Sequence, residues 1–342
     1  MYEVAIVGGG PAGLAAAMYC IRKGMDVQLI TATLGGKSVL GLTLPDMSEY
    51  HVIKAREQVR AFQSRIEYLS HTWRKGNVTA IREEGERFVL DVSTAVTRRT
   101  DGINDGGAAT GSATATSAGN GSPDSAGGGT VQLESERLII ATGTTPRRFD
   151  VPGVAEFFGN ALGSSAISYS HLLRERHAVV IGDSDRAIES AIELSMQCST
   201  VSLVMEPHAR YSHRHLEIAS GRENVEIFNG YRLLRVEGDT FARGVVLCRG
   251  DSDHGECSPQ KTLAADVFFL EREPDPNSDL VGHLVSRNSR GAIYVNERNE
   301  TNHPRVFAAG DVTTVGIEQI LVALGEGARA GLSAYRQHTM QL

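Results

Sequence analysis

Short apolar runs alternate with glycine-containing turns and helix-like segments along this 342-residue chain. The first run, residues 3–7, ends in a glycine-rich stretch and leads into an alanine-rich segment at 14–23 that predicts a helix. A second strand is predicted at 26–31. The order of strand, glycine turn, helix and strand is typical of the first unit of a dinucleotide-binding domain.

The same succession recurs in the second half of the chain. The pattern predicts an apolar strand at 178–181, a polar turn, a helix from Ala187 and another strand at 201–205. Two such units indicate an α/β protein with two Rossmann-like domains. The length agrees, because it exceeds the size at which a single core keeps growing.

Two crossings between these domains are predicted. A proline-containing linker at 147–153 follows the apolar strand that ends in the first half, and a second crossing is expected near 272–276. The chain then returns to the first domain with 306–311 and a closing helix from Glu318 onward. The first domain is therefore discontinuous, and we assign the domains as 1–150 with 274–342 and as 151–273.

A low-complexity segment interrupts the first domain. Residues 97–129 are almost wholly Gly, Ser, Thr, Ala, Asn and Asp, a composition that cannot bury enough apolar area to offset the entropy of ordering. We interpret it as a flexible insertion in a β-meander, between strands predicted at 87–92 and 131–140. A regulatory or partner-binding role is the alternative.

Charge and composition exclude several classes of partner. A net charge of -7 and a pI near 5.9 provide no basic field for nucleic acid or an anionic membrane. No apolar stretch approaches the roughly 20 residues that cross a bilayer, and the first residues do not resemble a signal peptide. Four cysteines are too few for a disulfide scaffold, so we expect a cytoplasmic protein.

Gly8, Gly10 and Gly13 have the spacing of a phosphate-binding turn. Gly8 permits the tight turn, Gly10 lets a pyrophosphate approach the backbone, and Gly13 allows the helix to pack closely. Pro11 and Ala12 lie within this turn, and the helix predicted to follow it from Leu14 directs its unpaired N–H groups at the phosphates. The first unit is therefore predicted to bind a dinucleotide.

The identity of that nucleotide comes from a resemblance, since Thr31 replaces the acidic residue that usually binds the ribose and offers one hydroxyl in its place. Together with the first fingerprint, three further motifs follow the order and approximate spacing of the FAD-binding motifs in thioredoxin-reductase-like flavoproteins. They are Gly36 and Lys37, then Ala141, Thr142 and Gly143, and then Gly310 and Asp311. The match spans nearly the whole chain and implies FAD in a thioredoxin reductase-like fold.

The resemblance also implies roles for individual residues. Asp311 would hold the ribityl chain, and backbone amides near Gln319 and Ile320 would contact the flavin pyrimidine ring. Lys37 lies beside the glycines expected near the isoalloxazine, where a cation can stabilise reduced anionic flavin, although a surface lysine is the alternative that we favour. The family also implies a homodimer.

The motifs that serve NADPH and disulfide exchange in thioredoxin reductases are missing. Their Cys-Ala-Thr-Cys segment falls on Ser-Ala-Ile-Ser at 165–168, followed by Tyr169, and a hydroxyl cannot replace a thiolate in disulfide exchange. The second fingerprint reads Gly-Asp-Ser-Asp-Arg-Ala at 182–187. Asp183 beside a pyrophosphate would cost about 1–4 kcal/mol at ~4 Å, depending on the effective dielectric.

Two more departures fall in the same domain. The His-Arg-Arg cluster for the adenosine 2′-phosphate is replaced by Met-Glu-Pro at 205–207, where Glu206 would repel a phosphate. The Gly-His-x-Pro stretch appears as Glu-Arg-Glu-Pro at 271–274. Together the departures make NADPH binding unfavourable, and a domain kept only as a scaffold is the alternative interpretation.

Other candidate chemistry is weaker. Cys248 and Cys257 flank a loop that would allow a redox disulfide, but we favour two separate reduced thiols. Cys20 and Cys198 are interpreted as core residues. The His/Arg cluster at 208–215 is interpreted as a solvated surface, so no metal site is expected.

The sequence thus favours an FAD-dependent, pyridine-nucleotide-independent oxidoreductase without naming a catalytic residue. The loss of the NADPH motifs and the loss of the cysteine pair are both shared with the cyanobacterial diflavin-linked disulfide oxidoreductases. This resemblance implies a second FAD in the cleft that NADPH would otherwise fill, and a dithiol or disulfide substrate. One alternative is a thioredoxin-reductase-like ferredoxin–NADP reductase, which needs a working NADP site. The other is a non-catalytic flavin-binding sensor or assembly protein. Expected redox partners are ferredoxin or a thiol/disulfide protein.

Overall fold

The computed structural model describes residues 1–39, 41–46, 55–94, 129–147, 149–250 and 260–341. All but the last residue of the insertion predicted at 97–129 lie outside this part of the chain. The helices are α1 (Pro11–Arg22), α2 (Ala55–Tyr68), α3 (Val154–Phe157), α4 (Asp185–Leu194), α5 (His213–Ser220) and α6 (Ile320–Gln341).

Short strands supply most of the remaining regular structure. They are β1 (Val4–Val7), β2 (Val27–Thr31), β3 (Trp73–Lys75), β4 (Asn77–Glu84), β5 (Arg87–Ser93), β6 (Thr130–Ser135), β7 (Leu138–Ile140), β8 (Thr144–Thr145), β9 (Leu162–Gly163), β10 (His177–Ser184), β11 (Thr200–Arg210), β12 (Val225–Asn229), β13 (Tyr231–Gly238), β14 (Ala242–Arg249), β15 (Gln260–Ala264), β16 (Val267–Glu271), β17 (Asp275–Pro276) and β18 (Val306–Ala308).

Two parallel five-stranded sheets organise the molecule. The first has the order β18-β7-β1-β2-β3 and the second the order β12-β11-β10-β16-β9. An antiparallel meander accompanies each sheet, β4-β5-β6 with the first and β13-β14-β15 with the second. The expected α/β class, with two Rossmann-like units and a discontinuous first unit, is confirmed. The domain boundaries at 150/151 and 273/274 stay a prediction.

The two crossings between the sheets pair with each other. β8, on the outgoing crossing, forms a short antiparallel ladder with β17, on the returning one. Asn277 ties this ladder to the first sheet, because its backbone N–H donates to the Gly143 carbonyl and its side-chain amide donates to the Thr142 carbonyl at 3.1 Å. The crossings therefore form one compact connection.

Small residues bring the closing helix α6 against α1. An added Cβ at Gly327 would collide with the carbonyl oxygen of Ala12, and one at Gly331 would lie 2.9 Å from the carbonyl oxygen of Ala16. Gly325, also in α6, is exposed, and an added Cβ there meets no heavy atom within 4 Å. The pattern of α6 thus presents glycine to α1 where the two backbones approach most closely.

We predict opposite effects for two glycine substitutions in α6. Gly327→Ala should lower the free energy of unfolding by about 1–3 kcal/mol, because the methyl group has no space against α1. Gly325→Ala should raise it by about 0.5–1 kcal/mol, because alanine is the better helix former and meets nothing. Urea denaturation measures both, and equal effects would contradict this packing.

Candidate functional site

A large cavity of about 1910 Å³ lies between the two sheets. Its walls come from the glycine turn after β1, from the crossings and from the segment 164–172 of the second unit. Pockets for one small ligand commonly enclose about 300–1,000 Å³. The cavity is therefore larger than a pocket for one small ligand.

The predicted cofactor residues converge on this cavity. Its lining includes every one of them except Gly13: Gly8, Gly10, Pro11, Ala12, Thr31, Gly36, Lys37, Ala141, Thr142, Gly143, Gly310, Asp311, Gln319 and Ile320. Gly13 lies behind the turn, where an added Cβ would collide with the carbonyl oxygen of Gly8. Its place is consistent with the packing role that the spacing predicts.

The turn after β1 has the shape that a pyrophosphate requires. Gly8 has a φ of +108°, and an added Cβ there would collide with the carbonyl oxygen of Ala141. Gly10 is the N-cap of α1 and faces open space, since an added Cβ meets nothing within 4 Å. Pro11 occupies the first helical position, where its missing N–H costs nothing. The free N–H groups of α1 therefore face the cavity.

Two neighbouring groups border the glycine turn at residues 8–13, which we call the glycine cradle. The Thr31 hydroxyl donates to the carbonyl of Thr33 at 2.7 Å, which leaves its oxygen free to accept a bond from a ribose hydroxyl. Glu326, only 2% exposed, accepts the backbone N–H of Gly310 at 2.8 Å. The Glu326 carboxylate thus fixes the turn before Asp311. The sequence analysis did not single out Glu326, although an acidic residue among the small residues of helix α6 could have indicated a buried role.

Lys37 is not the surface lysine that we favoured. Its Nζ lies 2.8 Å from Asp311 Oδ2 and 2.9 Å from Glu318 Oε2, and it donates to the Thr144 hydroxyl at 2.6 Å. Two carboxylates thus neutralise the ammonium inside the cavity. Stabilisation of an anionic flavin by a free lysine charge is correspondingly weakened.

The start of α6 also reaches the cavity. Gln319 precedes the helix, and Ile320 is its first residue. The Gln319 backbone N–H donates to the carbonyl of Ile317 at 2.9 Å, so it is already used within the chain. The amides of the first helical turn are the groups that remain for a ligand at this end of the cavity.

Ser165 and Ser168, at the positions where the resemblance implies a cysteine pair, line the cavity together. Ser165 and Ser168 lie at the two ends of one 3₁₀ turn, with their hydroxyl oxygens 2.9 Å apart. Gln319 Nε2 donates to the Ser168 hydroxyl at 3.4 Å, which connects this turn to the first unit. Both serines line the cavity, and neither hydroxyl can exchange a disulfide.

A buried carboxylate holds that serine turn. Glu271, 1% exposed at the end of β16, accepts the backbone N–H of Ala166 at 2.6 Å and the Nε–H of Arg186 at 2.7 Å. Arg186 also donates to Glu318 Oε1 at 2.7 Å. Burial raises the pKa of Glu271, and the Arg186 charge opposes this shift. Burial also acts to raise the pKa of Glu318, but the charges of Lys37 and Arg186 lower it overall.

The second fingerprint does not form the polar turn that we predicted. β10 extends through Ser184, and α4 begins at the next residue, Asp185, rather than at Ala187. The Asp185 carboxylate accepts the backbone N–H of Ser212 at 2.8 Å and lies 2.9 Å from His215 Nδ1. An acidic side chain therefore occupies the end of α4 where a phosphate would bind.

Glu206 is paired, which corrects our expectation of a carboxylate that repels phosphate. Arg272 donates to both of its oxygens, with each bond at 2.7 Å. The Arg272 guanidinium also lies 3.8 Å from the centre of the Phe149 ring. The Glu206 carboxylate is therefore not an unpaired charge, because the Arg272 guanidinium binds both of its oxygens.

The remaining candidates lie away from the cavity. Cys20 and Cys198 are buried free thiols, and burial raises their pKa values to about 12 and about 11. Cys248 is disulfide-bonded, so the prediction of a reduced thiol is wrong for it, and Cys257 lies outside the described residues. His208 falls in a strand and His215 in a helix, so the two do not share a helical face.

Neither a metal site nor a membrane span is present among the described residues. Within those ranges, no group of three or more His, Cys, Asp or Glu side chains has the arrangement of a metal site. None of the helices described combines the length and the apolar composition needed to span a membrane.

The pyridine nucleotide-disulphide oxidoreductase family model matches residues 2–327. The chain belongs to this family. Membership agrees with the glycine cradle and implies a flavoprotein that binds FAD. The open space at Gly10, the cavity and the α1 N-terminus fit the pyrophosphate of that cofactor.

Relatives and solved structures agree with the fold. The chain is 26% identical over 340 residues to the alkyl hydroperoxide reductase F protein of Pseudomonas aeruginosa and 28% identical over 337 residues to that of Escherichia coli. Each alignment covers 98% of this chain but 58% of the relative. The thioredoxin reductases of Streptococcus pyogenes and Giardia duodenalis superpose with TM-scores of 0.78 and 0.76, at 22% identity and 99% coverage of both chains.

We predict that Gly10→Ala separates cofactor binding from folding. The methyl group enters open space where a pyrophosphate would approach, so FAD affinity should fall at least about tenfold. The apo-protein should lose about 1 kcal/mol or less, which reflects the weaker N-cap. Fluorescence titration with FAD and urea denaturation measure the two effects. Gly325→Ala is the matched control, and unchanged FAD affinity in Gly10→Ala would contradict the assigned cradle.

Proposed function

We propose that this chain is an FAD-dependent oxidoreductase that does not take electrons from NADPH or NADH. FAD, when bound in the first unit, supplies the two-electron chemistry. The chain's own residues bind its pyrophosphate at the turn 8–13 and place the serine turn against the cavity. A cytoplasmic location and a homodimer remain predictions from the sequence.

The observation that carries this proposal is the state of the second nucleotide unit. Asp185 lies in the first turn of α4, and Arg272 forms an ion pair with Glu206, a residue within β11. The cavity lining includes neither Asp183 nor Ser184. A dinucleotide would have to displace these paired groups and bring its phosphates to a carboxylate, which costs about 1–4 kcal/mol for each close pair of like charges.

The serine turn also supports electron transfer without a disulfide relay in the protein. A disulfide relay needs a thiolate that attacks sulfur, and the two positions nearest the cavity carry hydroxyls. Cys20 and Cys198 are buried and burial raises the pKa of both thiols, so neither can act in place of a reactive cysteine pair. Electrons would therefore pass directly between the flavin and an external donor or acceptor, either ferredoxin or a dithiol.

Anaerobic titration tests the choice of donor. NADPH and NADH should leave the flavin absorbance near 450 nm unchanged over minutes, because the second unit does not seat them. Reduced ferredoxin or a dithiol should bleach it, and dithionite serves as the control for a reducible flavin. Rapid bleaching by NADPH would overturn the proposal in favour of a ferredoxin–NADP reductase. Bleaching by dithionite alone would favour a non-catalytic flavin protein.

The finer part of the proposal is a second FAD. The cavity of about 1910 Å³ continues beyond the glycine turn 8–13 to Tyr169, Leu172 and the crossings, and this outer part is where a second FAD would lie. Tyr169 lines the cavity, and its ring stacks on that of the buried Phe269 with ring centroids 6.5 Å apart. A second flavin against the first would suit an enzyme that transfers electrons without a nicotinamide.

Flavin stoichiometry tests this finer part. Protein reconstituted with excess FAD and freed of unbound flavin should retain about two flavins per chain, measured by absorbance after denaturation against amino-acid analysis. The Gly10→Ala variant is the comparison, because it should lose the flavin of the cradle first. A ratio of one in the unsubstituted protein would remove the second FAD but leave the choice of electron donor untouched.

A further inference from the structure

An unbroken row of ion pairs crosses from one nucleotide unit to the other at the cavity. Asp311, Lys37 and Glu318 belong to the first unit, and Arg186 and Glu271 belong to the second. Charges alternate along the row, and each neighbouring pair lies within 2.9 Å. We propose that this row is a latch that holds the two units together with the serine turn closed over the flavin position.

The bond that crosses between the units is the one from Arg186 to Glu318. One arm of the guanidinium donates to Glu271 and the other to Glu318, each at 2.7 Å. A guanidinium presents several donors in a rigid fork, so it can bridge two carboxylates at fixed geometry. Rotation of one unit against the other must break this bridge, since its two carboxylates are on different units.

The latch also reaches the serine turn. Glu271 accepts the Ala166 backbone N–H at 2.6 Å, so the carboxylate that receives Arg186 also fixes the turn between Ser165 and Ser168. Gln319, next to Glu318 in the chain, donates to Ser168. Opening at Arg186 and Glu318 would therefore also release the serine turn from the cavity.

The connection between the units is suited to such a movement. Where the chain crosses between the sheets, the two crossings are joined by the short ladder of β8 with β17 and by the hydrogen bonds of Asn277. A second contact lies elsewhere, where the segment 41–46 inserts Leu42 and Leu44 into the core of the second unit. The ionic latch is thus separate from this apolar anchor and lies at the cavity.

Burial distinguishes the latch from an ordinary surface ion pair. The side chains of Glu271, Arg186 and Glu318 are 1%, 21% and 22% exposed. Asp46 and Arg176 form another ion pair between the units at 2.9 Å, but the Asp46 side chain is 69% exposed. Removing one partner of a buried pair leaves an uncompensated charge, whereas exposed pairs contribute little. The exposed pair is therefore a matched control.

The test measures the separation of the two units in the oxidised holoprotein. Spin labels at Ser220→Cys in α5 and Arg336→Cys in α6 report one distance distribution by pulsed electron resonance, since both positions are exposed. The chain without these two cysteines is the labelling control. The parent should give one dominant distance. In Glu318→Gln, the ratio of molecules at other distances to molecules at the dominant distance should rise at least about tenfold. Asp46→Asn should leave the distance distribution unchanged.

A second variant guards against misfolding. Arg186→Gln combined with Glu271→Gln removes both charges of the second unit, so no buried charge is left alone, and it should open the units as Glu318→Gln does. Parental distributions in both latch variants would overturn the proposal, as would an equal shift in Asp46→Asn. No electron donor is present in the measurement, so its outcome is independent of the proposed function.

Discussion

The two hydrogen bonds of the Glu271 carboxylate are the interaction on which the arrangement of the cavity depends. One oxygen fixes the serine turn through Ala166, and the other fixes Arg186, which reaches the first unit. A carboxylate that is 1% exposed tolerates this position only because both oxygens are occupied. Glu271 is the last residue of the buried strand β16, so the sheet fixes where its side chain lies.

The two nucleotide units share an architecture but differ at the junction of strand and helix. In the first unit, β1 ends at Val7 and α1 starts at Pro11, which leaves three glycines to surround a phosphate. In the second unit, β10 continues to Ser184 and α4 starts at Asp185. The same fold thus offers open backbone N–H groups at one junction and a bonded carboxylate at the other.

Local patterns predicted the fold and the cradle but not the contacts between distant residues. Periodicity and glycine spacing suffice for the two units, because they depend on neighbours in the chain. The pairing of Glu206 with Arg272 joins residues 66 positions apart, and that of Arg186 with Glu318 joins residues 132 apart. A residue type shows the sign of a charge but not its partner, so Lys37 was interpreted as a surface residue and Glu206 as a charge that repels phosphate.

The proposed loss of nucleotide binding does not make the second unit dispensable. Its segment 164–172 forms one side of the cavity, and Glu271 and Arg186 set the position of that segment. Without this unit the flavin position would be open to water, where charged groups interact far more weakly than in a partly buried site. A domain that no longer binds its ligand can therefore still be required, because it closes the site of its neighbour.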